Sequence, residues 1–333
     1  MAQAEPRKAL KAVFFTHLSV TTGPMIKAWL GAGHRINAIV VYRQRKRRFL
    51  ANPVRWLSLE RSLIRHLRRR RIPVIELVSP VDWDTLGGTL SAGAPDIAIS
   101  YGFMRLIPQN LLERFPHGGV NFHPALLPYY RGPQPLHWLA IDGTWDRFGG
   151  VTLHEMTDRF DEGAILAQAP ISFRVGSREI SPREFATSAV ACMTRDVIPL
   201  YCAKTIRAWP QRPGNYPYAV HDFPALVVEP QWTRDYLKRL CMVMIKKPGV
   251  AIDISGRKVR LLGEAGVLGP PNGKPPTTRR GRIEFDLADH RVAYWRYNML
   301  NRRLAYFRNT LREFDTSTHE VEVRLGPFER QPV

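Results

Sequence analysis

Short apolar runs alternate with helix-spaced apolar positions along the first half of the chain. Residues 12–16 read AVFFT and residues 36–42 read INAIVVY. Runs this apolar, rich in β-branched and aromatic residues, predict strands that are buried on both faces. The pattern predicts strands at 12–16, 36–42, 72–77, 97–100 and 120–122, and helices at 25–32 and 57–71. Strands that alternate with helices indicate an α/β fold with a mostly parallel sheet and helices on both faces, in which ligands bind beyond the carboxyl ends of the strands.

The character of the sequence changes near residue 209. The stretch WPQRPGNYPY (209–218) is rich in proline and is typical of a linker. Beyond it the pattern predicts a helix at 236–245, a β-hairpin formed by 250–254 and 258–262, a loop at 268–281, and strands at 283–287 and 320–325. We therefore expect two domains, residues 1–208 and residues 209–333, and the second is smaller and rich in β-strands.

Basic residues dominate the charge of the chain. The formal net charge is +20, from 49 Lys and Arg against 29 Asp and Glu. Twelve Lys and Arg residues and a single Glu lie between Arg43 and Arg71, a segment that we call the basic cluster. Such a cluster attracts polyanions such as tRNA, other nucleic acids or nucleotide phosphates. The alternative is a solvated helix face, and the absence of an accompanying aromatic stacking pattern leaves both interpretations open.

The remaining bulk properties place the chain among globular proteins of a reducing compartment. Three cysteines without a CxxC pattern argue against a disulfide framework and against a zinc site. The first eleven residues are not followed by the apolar h-region of a secretory signal, and no run reaches the ~18 apolar residues of a membrane-spanning helix. We expect a cytoplasmic protein without a membrane span. No GxGxxG follows the first strand and no GxxxxGK[ST] occurs, so a dinucleotide site and a P-loop are poorly supported.

An amide and an imidazole stand two residues apart at the end of the fifth predicted strand. Asn121 and His123 would project to the same side of that strand, into the ligand crevice, because side chains alternate along a strand. The proline-rich residues that follow would form a stiff wall behind them. Further along, a strand in VTLHEM leads into a loop with Asp158 and Asp161, either of which would orient the imidazole and favour its charged form.

Three ordered blocks of the chain resemble the folate-dependent formyltransferases. NFHPALLPYYRG (121–132) resembles the block N-x-H-P-S-L-L-P-x-x-R-G of that family, and GVTLHEMTDRFDEGAIL (150–166) resembles its block G-V-T-[IL]-H-x-M-x-x-x-x-D-x-G-x-I. PDIAISYGFMRLIP (95–108) resembles the strand and loop that precede them. The resemblance extends from residue 12 to about residue 173 and implies a Rossmann-like catalytic domain.

The resemblance implies the transfer of a formyl group from 10-formyltetrahydrofolate to an amine, with Asn121, His123 and Asp161 as the catalytic residues and without a metal. The residue types suit this chemistry. Asn121 would donate a hydrogen bond to the oxyanion, a contribution of ~3 kcal/mol in comparable sites. His123 would add a second donor and move a proton from the attacking nitrogen to the leaving folate nitrogen, and Asp161 would orient His123 and help to relay protons.

The same resemblance implies the folate pocket, which would be lined by two loops through apolar contacts and backbone hydrogen bonds. For Phe103 and Leu106, plain core packing is the competing interpretation. The implied folate-binding residues are Phe103, Met104, Arg105, Leu106, Ile107, Glu155, Met156, Thr157 and Asp158.

The amine acceptor stays open between two classes. Methionyl-tRNA formyltransferases have a similar length and a β-rich second module, and LCMVMIKKPGVAIDISGRKVRLL resembles the start of that module, although the family's signature P-D-x-P-x-G-R-G is missing. Sugar-nucleotide N-formyltransferases share the NFH, RGxxPxxW and GVTLH patterns with this chain. Glycinamide ribonucleotide formyltransferases carry a Gly-rich phosphate loop after the first strand, and because THLSVTTGP does not match that loop, we rank this class low. We expect a methionyl-tRNA formyltransferase-like enzyme first, a sugar enzyme second, and a non-catalytic RNA-binding relative third. The candidate acceptor-binding residues are Arg43, Arg45, Lys46, Arg47, Arg48 and Arg131.

Overall fold

A computed structural model describes residues 9–43, 59–175, 178–244, 249–297 and 318–327. The chain divides into two compact units. The first unit comprises Met1–Gly132, Asp146–Tyr218 and Thr316–Val333, and the second comprises Pro133–Trp145 and Ala219–Asp315. The sequence-based boundary at 208/209 lies ten residues before the end of the central segment of the first unit. It also places residues 133–145 and 316–333 with the opposite unit, because contacts between distant segments leave no trace in the local sequence pattern.

The first unit is built on an eight-stranded sheet. Its strands are β1 (Lys11–Thr16), β2 (Arg35–Arg43), β3 (Val74–Val78), β4 (Ile97–Tyr101), β5 (Gly119–His123), β6 (Gly150–Glu155), β7 (Ile165–Pro170) and, late in the chain, β16 (Arg324–Leu325). The strand order is β16-β7-β6-β5-β4-β1-β2-β3. Strands β3, β2, β1, β4 and β5 are parallel, whereas β6, β7 and β16 pair antiparallel at one side. The five strands predicted before residue 123 are confirmed, and so is the mostly parallel sheet.

Helices cover both faces of this sheet, as the pattern predicts. They are α1 (Thr22–Gly31), α2 (Leu59–Arg69), α3 (Trp83–Ser91), α4 (Gln109–Leu112), α7 (Pro182–Asp196) and α8 (Ile198–Cys202), and a two-stranded hairpin of β8 (Arg174–Val175) and β9 (Arg178–Glu179) precedes α7. Helix α7 starts with a capping box in which Ser181 and Glu184 satisfy each other's backbone N–H groups, and Pro182 occupies the first helical position.

Two hydrophobic cores lie on the two faces of the sheet. Alternate residues of β1 serve both: Phe14 belongs to one core, with Trp29 of α1 and Val190 of α7, and Phe15 belongs to the other. This second core also contains residues of α3 and α4. Because each parallel strand is covered on both faces, its sequence is apolar at nearly every position, which explains the runs seen in the sequence.

The predicted strand at 320–325 needs correction in length and in partner. Only Arg324 and Leu325 form a strand, and this strand pairs with β7 of the first unit, not with the β-rich second unit. The alternation of apolar and polar residues indicates an extended segment, but it does not specify the strand beside which the segment lies.

The second unit contains a six-stranded sheet and its own helices. The strands are β10 (Leu226–Val227), β11 (Val250–Ile254), β12 (Arg257–Gly269), β13 (Thr277–Arg279), β14 (Arg282–Asp286) and β15 (Arg291–Arg296), in the order β10-β11-β12-β15-β14-β13. The helices are α5 (Pro135–Ile141) and α9 (Arg234–Val243), and α6 (Trp145–Phe148) is crossed by the boundary between the units.

The predicted β-rich character of this region is confirmed, with one difference in detail. The hairpin of β11 and β12 turns at Ser255 and Gly256, both in the left-handed region with φ of 53° and 81°, as expected for a two-residue turn. The predicted loop at 268–281 contains the short strand β13, which pairs with β14. In the part of the chain that the structure describes, no helix is long and apolar enough to cross a membrane.

Candidate active site

Strand β5 presents two polar side chains on one face of the sheet. Val120 and Phe122 point into the core that contains Phe14, so Asn121 and His123 face the opposite side, as the two-residue alternation predicts. His123 is the last residue of the strand and is buried, whereas Asn121 is half-buried. The polar pair therefore stands at the carboxyl end of a central strand.

The proline-rich residues after His123 are fixed by buried hydrogen bonds. The hydroxyl of Thr152 on β6 donates to the carbonyl of Ala125 at 2.6 Å and accepts from the amide of Leu127 at 3.0 Å. The Gln168 amide on β7 donates to the carbonyl of Leu127 at 2.9 Å. Because each buried polar group has a partner, this segment forms a well-defined wall beside the imidazole.

Asp161 reaches both residues of β5 from the loop at 156–164. Its Oδ1 lies 3.4 Å from Nδ1 of His123 and 3.4 Å from Nδ2 of Asn121, and its Oδ2 accepts the backbone N–H of Gly132 at 2.9 Å. Strand β6 is antiparallel to β5 and ends opposite Val120, so the loop must return toward His123. Asp161 itself adopts a φ of 58°, a left-handed conformation that is uncommon for residues other than glycine and occurs often at functional sites.

The imidazole of His123 is held by one short and one long contact. Nε2 donates to the carbonyl of Tyr130 at 2.8 Å, since a carbonyl oxygen only accepts. Tyr130 also has a left-handed backbone, with φ of 56°. The short bond sets the plane of the ring, and Nδ1 then faces the carboxylate of Asp161 at the longer distance of 3.4 Å.

His154 on β6 completes the cluster and was not among the predicted site residues. Its Nδ1 donates to the carbonyl of Glu155 at 2.7 Å, and its Nε2 therefore accepts from Nδ2 of Asn121 at 3.0 Å. Its Nε2 also lies 3.6 Å from Oδ1 of Asp161. The cross-strand pairing of Asn121 with His154 explains this proximity. Two features of the sequence could have indicated His154: the alternation of side chains within VTLHEM and the histidine of the family block.

The surroundings of Asp161 keep its carboxylate ionised. Burial alone would raise the pKa of this group, but the ionic and hydrogen-bond interactions, chiefly those with His123, outweigh the burial. The pKa of Asp161 therefore lies far below its usual range. A carboxylate with such a low pKa is a poor proton acceptor, so its main effect is electrostatic orientation of the neighbouring rings.

Of the predicted folate-binding residues in the loop after β4, some are buried and others are exposed. Phe103 packs edge-to-face on Phe15 at a centroid distance of 5.3 Å, and both Phe103 and Ile107 belong to the core. In contrast, Met104 and Leu106 are 50% and 38% exposed. Arg105 is exposed as well, with its guanidinium above the ring of Tyr42 and a hydrogen bond to the Tyr42 hydroxyl.

The residues of the second predicted folate-binding stretch also differ in burial and in the groups that they contact. The carboxylate of Glu155 accepts the hydroxyl of Tyr201 at 2.8 Å, on the sheet face opposite Asn121, so its side chain is not brought to the cluster. Met156 packs against the same core as Phe103. The Thr157 hydroxyl donates to the carbonyl of Arg159 at 3.1 Å, and Asp158 is exposed.

The predicted acceptor-binding residues fall into two groups. Arg45, Lys46, Arg47 and Arg48 lie outside the described residues, as does the side chain of Arg43. Arg131 is engaged within the first unit, because its Nε and Nη2 donate to Oε1 of Gln211 at 3.1 and 2.7 Å and its Nη1 lies 3.9 Å from Glu162. Of the basic cluster, Arg68, Arg69 and Arg70 are described and exposed near the end of α2.

Comparison with known families identifies this arrangement. Residues 82–177 match the family described as formyl transferase. The chain carries a formyl transferase domain. The matched residues include β5, β6 and the loop at 156–164, and therefore all four polar members of the site.

Solved structures that are similar to this chain share its fold at low sequence identity. HypX from Aquifex aeolicus in complex with tetrahydrofolic acid has 17% identity and a TM-score of 0.56 over 86% of this chain. The present chain spans 43% of the length of that protein. WlaRD, a sugar 3N-formyl transferase, has 13% identity and a TM-score of 0.57, with coverage of 87% of this chain and 98% of its own. The N-formyltransferase from Helicobacter canadensis has 15% identity and a TM-score of 0.53, with coverage of 87% and 100%.

Proposed function

We propose that this protein is an N-formyltransferase that moves the formyl group of 10-formyltetrahydrofolate to a primary amine. Nδ2 of Asn121 and Nδ1 of His123 both lie 3.4 Å from the same atom, Oδ1 of Asp161, and this convergence is the observation that carries the proposal. It supplies two hydrogen-bond donors and a buried negative charge within the matched domain. Acyl transfer to an amine requires this kind of preorganised donor pair.

The exposed apolar residues around the cluster suit a folate donor. Met104 and Leu106 on the loop after β4 and Phe160 next to Asp161 are 50%, 38% and 49% exposed. Large apolar side chains exposed together on loops beside a polar cluster are typical of a binding site for an aromatic ligand. A pteridine ring would cover them. The complexes of HypX with tetrahydrofolic acid and of WlaRD with 5-N-formyl-THF support the same donor.

Two N–H groups of the site make only weak contacts and are therefore available to a developing oxyanion. Asn121 donates one firm bond to His154 at 3.0 Å, and His123 donates one firm bond to Tyr130 at 2.8 Å. The remaining contact of each residue is the 3.4 Å approach to Asp161. The firm bonds orient the groups, and the weak contacts leave Nδ2 of Asn121 and Nδ1 of His123 available to the formyl oxygen as it gains negative charge.

The bond changes of the reaction fit these residues without a covalent enzyme intermediate. The new bond joins the acceptor nitrogen to the formyl carbon, the bond from that carbon to the folate nitrogen breaks, and one proton passes from the attacking to the leaving nitrogen. His123 is the residue placed to carry this proton. Asp161 remains ionised throughout because of its low pKa and stabilises the charged imidazole.

For the acceptor, we place an amino sugar linked to a nucleotide diphosphate first. The matches to the two sugar N-formyltransferases cover 98% and 100% of those chains and 87% of this chain, so they extend into its second unit. The Helicobacter canadensis enzyme is described in complex with dTDP-3-aminofucose. This order reverses the sequence-based preference for methionyl-tRNA.

Aminoacyl-tRNA remains the second candidate because of basic surface in the second unit. The hairpin of β13 and β14 exposes Arg279, Arg280 and Arg282, and the guanidinium of Arg282 lies 4.4 Å from the ring centroid of Trp295. Arginines with an aromatic neighbour suit the phosphates and bases of RNA.

A competition assay separates the two acceptors. With 10-formyltetrahydrofolate as donor, dTDP-linked 3-amino sugars and charged initiator tRNA are compared by kcat/KM. We expect the amino sugars to be preferred, and preferential formylation of tRNA would reverse the order. Replacement of Arg68, Arg69 and Arg70 by Gln tests the basic cluster. This replacement should weaken acceptor binding at low salt and leave the affinity for folate unchanged. Absence of transfer to any amine would reject the proposed function.

A further inference from the structure

The segment with the composition of a linker lies against the active site. Backbone N–H and C=O of Trp209 exchange hydrogen bonds with Ile165 at 2.8 and 2.7 Å. Near its other end, the carbonyl of Pro217 accepts the amide of Tyr130 at 2.8 Å, and Arg131 forms an isolated parallel bridge with Tyr218. We call residues 209–218 the strap. One end of the strap is thus bonded to the start of β7, directly after the loop of Asp161, and the other end is bonded to the loop that carries Tyr130.

Gln211, the third residue of the strap, joins the loop of Asp161 to the loop of Arg131 through its side chain. Its Oε1 accepts from Nε and Nη2 of Arg131 at 3.1 and 2.7 Å. Its Nε2 donates to the carbonyls of Asp161 and Gly163, both at 2.8 Å. The orientation of the amide follows from its partners, because a guanidinium only donates and a carbonyl only accepts. All four bonds that the amide is able to make in this geometry are formed.

Glutamine is well suited to this position, and few residue types would replace it. The side chain must accept from a guanidinium at one end and donate twice at the other. A carboxylate lacks the donors, and Lys or Arg lacks the acceptor. Asparagine has the same groups on a shorter side chain, so it would not span both loops without movement of the backbone.

The loop that Gln211 holds requires such support. Asp161 has a left-handed backbone with φ of 58°. A Cβ atom on Gly163 would lie 1.9 Å from the carbonyl oxygen of Glu155, so the chain passes very close to the end of β6. A conformation of this kind persists only where surrounding contacts define it. The two hydrogen bonds from Gln211 flank this turn and fix the carbonyls of residues 161 and 163.

We propose that Gln211 is a positioning residue of the transfer reaction, which keeps the carboxylate of Asp161 in contact with His123 and Asn121. It touches the backbone of Asp161 and none of the reacting groups. Arg131, which the sequence suggested for acceptor binding, has the complementary role of anchoring the other side of the amide. The inference rests on the proposed function for its kinetic consequences, whereas its structural consequence is measurable without turnover.

The test compares Gln211→Glu and Gln211→Met with the control Asn215→Ala. Glu and Met have nearly the same length as Gln but lack the two donors, and Asn215 is an exposed residue of the same strap. In the Gln211 variants we expect kcat to fall by about 10- to 100-fold, with KM for the folate donor and the amine within about twofold, because orientation is lost and binding groups are retained. The control should match the parent.

The second readout is the backbone amide of Gly132, which donates to Oδ2 of Asp161 at 2.9 Å. Glycine-selective ¹⁵N labelling and hydrogen exchange report whether this bond survives. In Gln211→Glu and Gln211→Met, exchange of the Gly132 amide should accelerate at least about tenfold, while amides of β1 and β4 keep their protection. The isosteric Glu variant provides the result if the Met variant does not fold.

The outcomes distinguish this inference from the proposed function. If the parent transfers formyl groups and both Gln211 variants turn over within about twofold of it, the positioning role is refuted. If the parent shows no transfer, the proposed function fails, and the Gly132 amide alone decides: accelerated exchange supports the contact with Asp161, and unchanged exchange overturns it. A rise in KM without a change in kcat would also overturn the inference, because it would indicate a role in substrate binding.

Discussion

Oδ1 of Asp161 lies 3.4 Å from Nδ1 of His123, while Nε2 of the same ring is bonded to the carbonyl of Tyr130 at 2.8 Å. One ring nitrogen is thus firmly held and the other faces a carboxylate across a weak contact. The same oxygen of Asp161 lies 3.4 Å from Nδ2 of Asn121. The carboxylate of Asp161 lies where the N–H groups of Asn121 and His123 both point. It therefore holds these two donors in place before a formyl oxygen binds.

Replacement of His123 by alanine should abolish formyl transfer and leave the fold intact. The ring supplies an oxyanion donor and the path for the proton, and loss of a general acid–base residue usually lowers the rate by about 10²- to 10⁴-fold. The measurement is tetrahydrofolate release in the presence of an accepted amine. His221→Ala, at an exposed histidine, is the matched control. Activity of His123→Ala within a few-fold of the parent would reject the assignment.

Asp161→Asn should retain folate binding and lose most turnover. The substitution preserves size but removes the charge that faces His123, so we expect kcat to fall about 100-fold or more with the dissociation constant for the donor within about threefold. The measurements are kcat across the pH range and donor binding by titration. A pH profile identical to that of the parent would contradict the role given to this carboxylate.

The depressed pKa of Asp161 also predicts how stability depends on pH. A carboxyl group whose pKa is lower in the folded than in the unfolded chain stabilises the fold above its unfolded pKa of about 3.9 and loses that contribution as the pH falls below it. The difference in unfolding free energy between the parent and Asp161→Asn should therefore become less favourable to the parent as the pH falls below about 4. Urea unfolding at several pH values measures it. A difference that does not change with acid would contradict the ionised state.

His154 should act through Asn121. His154→Phe removes the acceptor at 3.0 Å from Nδ2 of Asn121 and leaves that amide without its firm bond. We expect kcat to fall about 10- to 100-fold, whereas His154→Gln, which has an acceptor and a donor, should retain more activity. Steady-state kinetics of both variants provide the comparison. Equal activities in the two variants would show that the hydrogen bond to Asn121 does not matter.

The sequence predicted the parts of this protein that depend on local pattern. The apolar runs of β1, β2 and β4 are readable because both faces of each strand are buried, and the spacing of Asn121 and His123 placed both on one face. His154 required knowledge that β6 lies antiparallel beside β5, which pairs it with Asn121. That register is a property of the assembled sheet and not of either segment.

The strap and the last strand show where local pattern is insufficient. Residues 209–218 have the composition of a linker, yet Gln211 makes four hydrogen bonds beside the site. Residues 324–325 pair with β7 across about 150 residues of sequence. In both cases the partner is distant in the chain, and the side-chain types involved are compatible with an exposed segment until that partner is known.

In the proposed function, Asn121, His123 and Asp161 surround the formyl group of a bound folate. A crystal structure of the protein with 5-formyltetrahydrofolate tests it most directly, because this compound places the pteridine ring without being consumed. We expect a pteridine ring against Met104, Leu106 and Phe160, with N10 of the folate so placed that a formyl oxygen on it would lie within about 3.5 Å of Nδ2 of Asn121 and Nδ1 of His123. A folate bound away from these three residues, or no binding at millimolar concentration, would refute the proposed site.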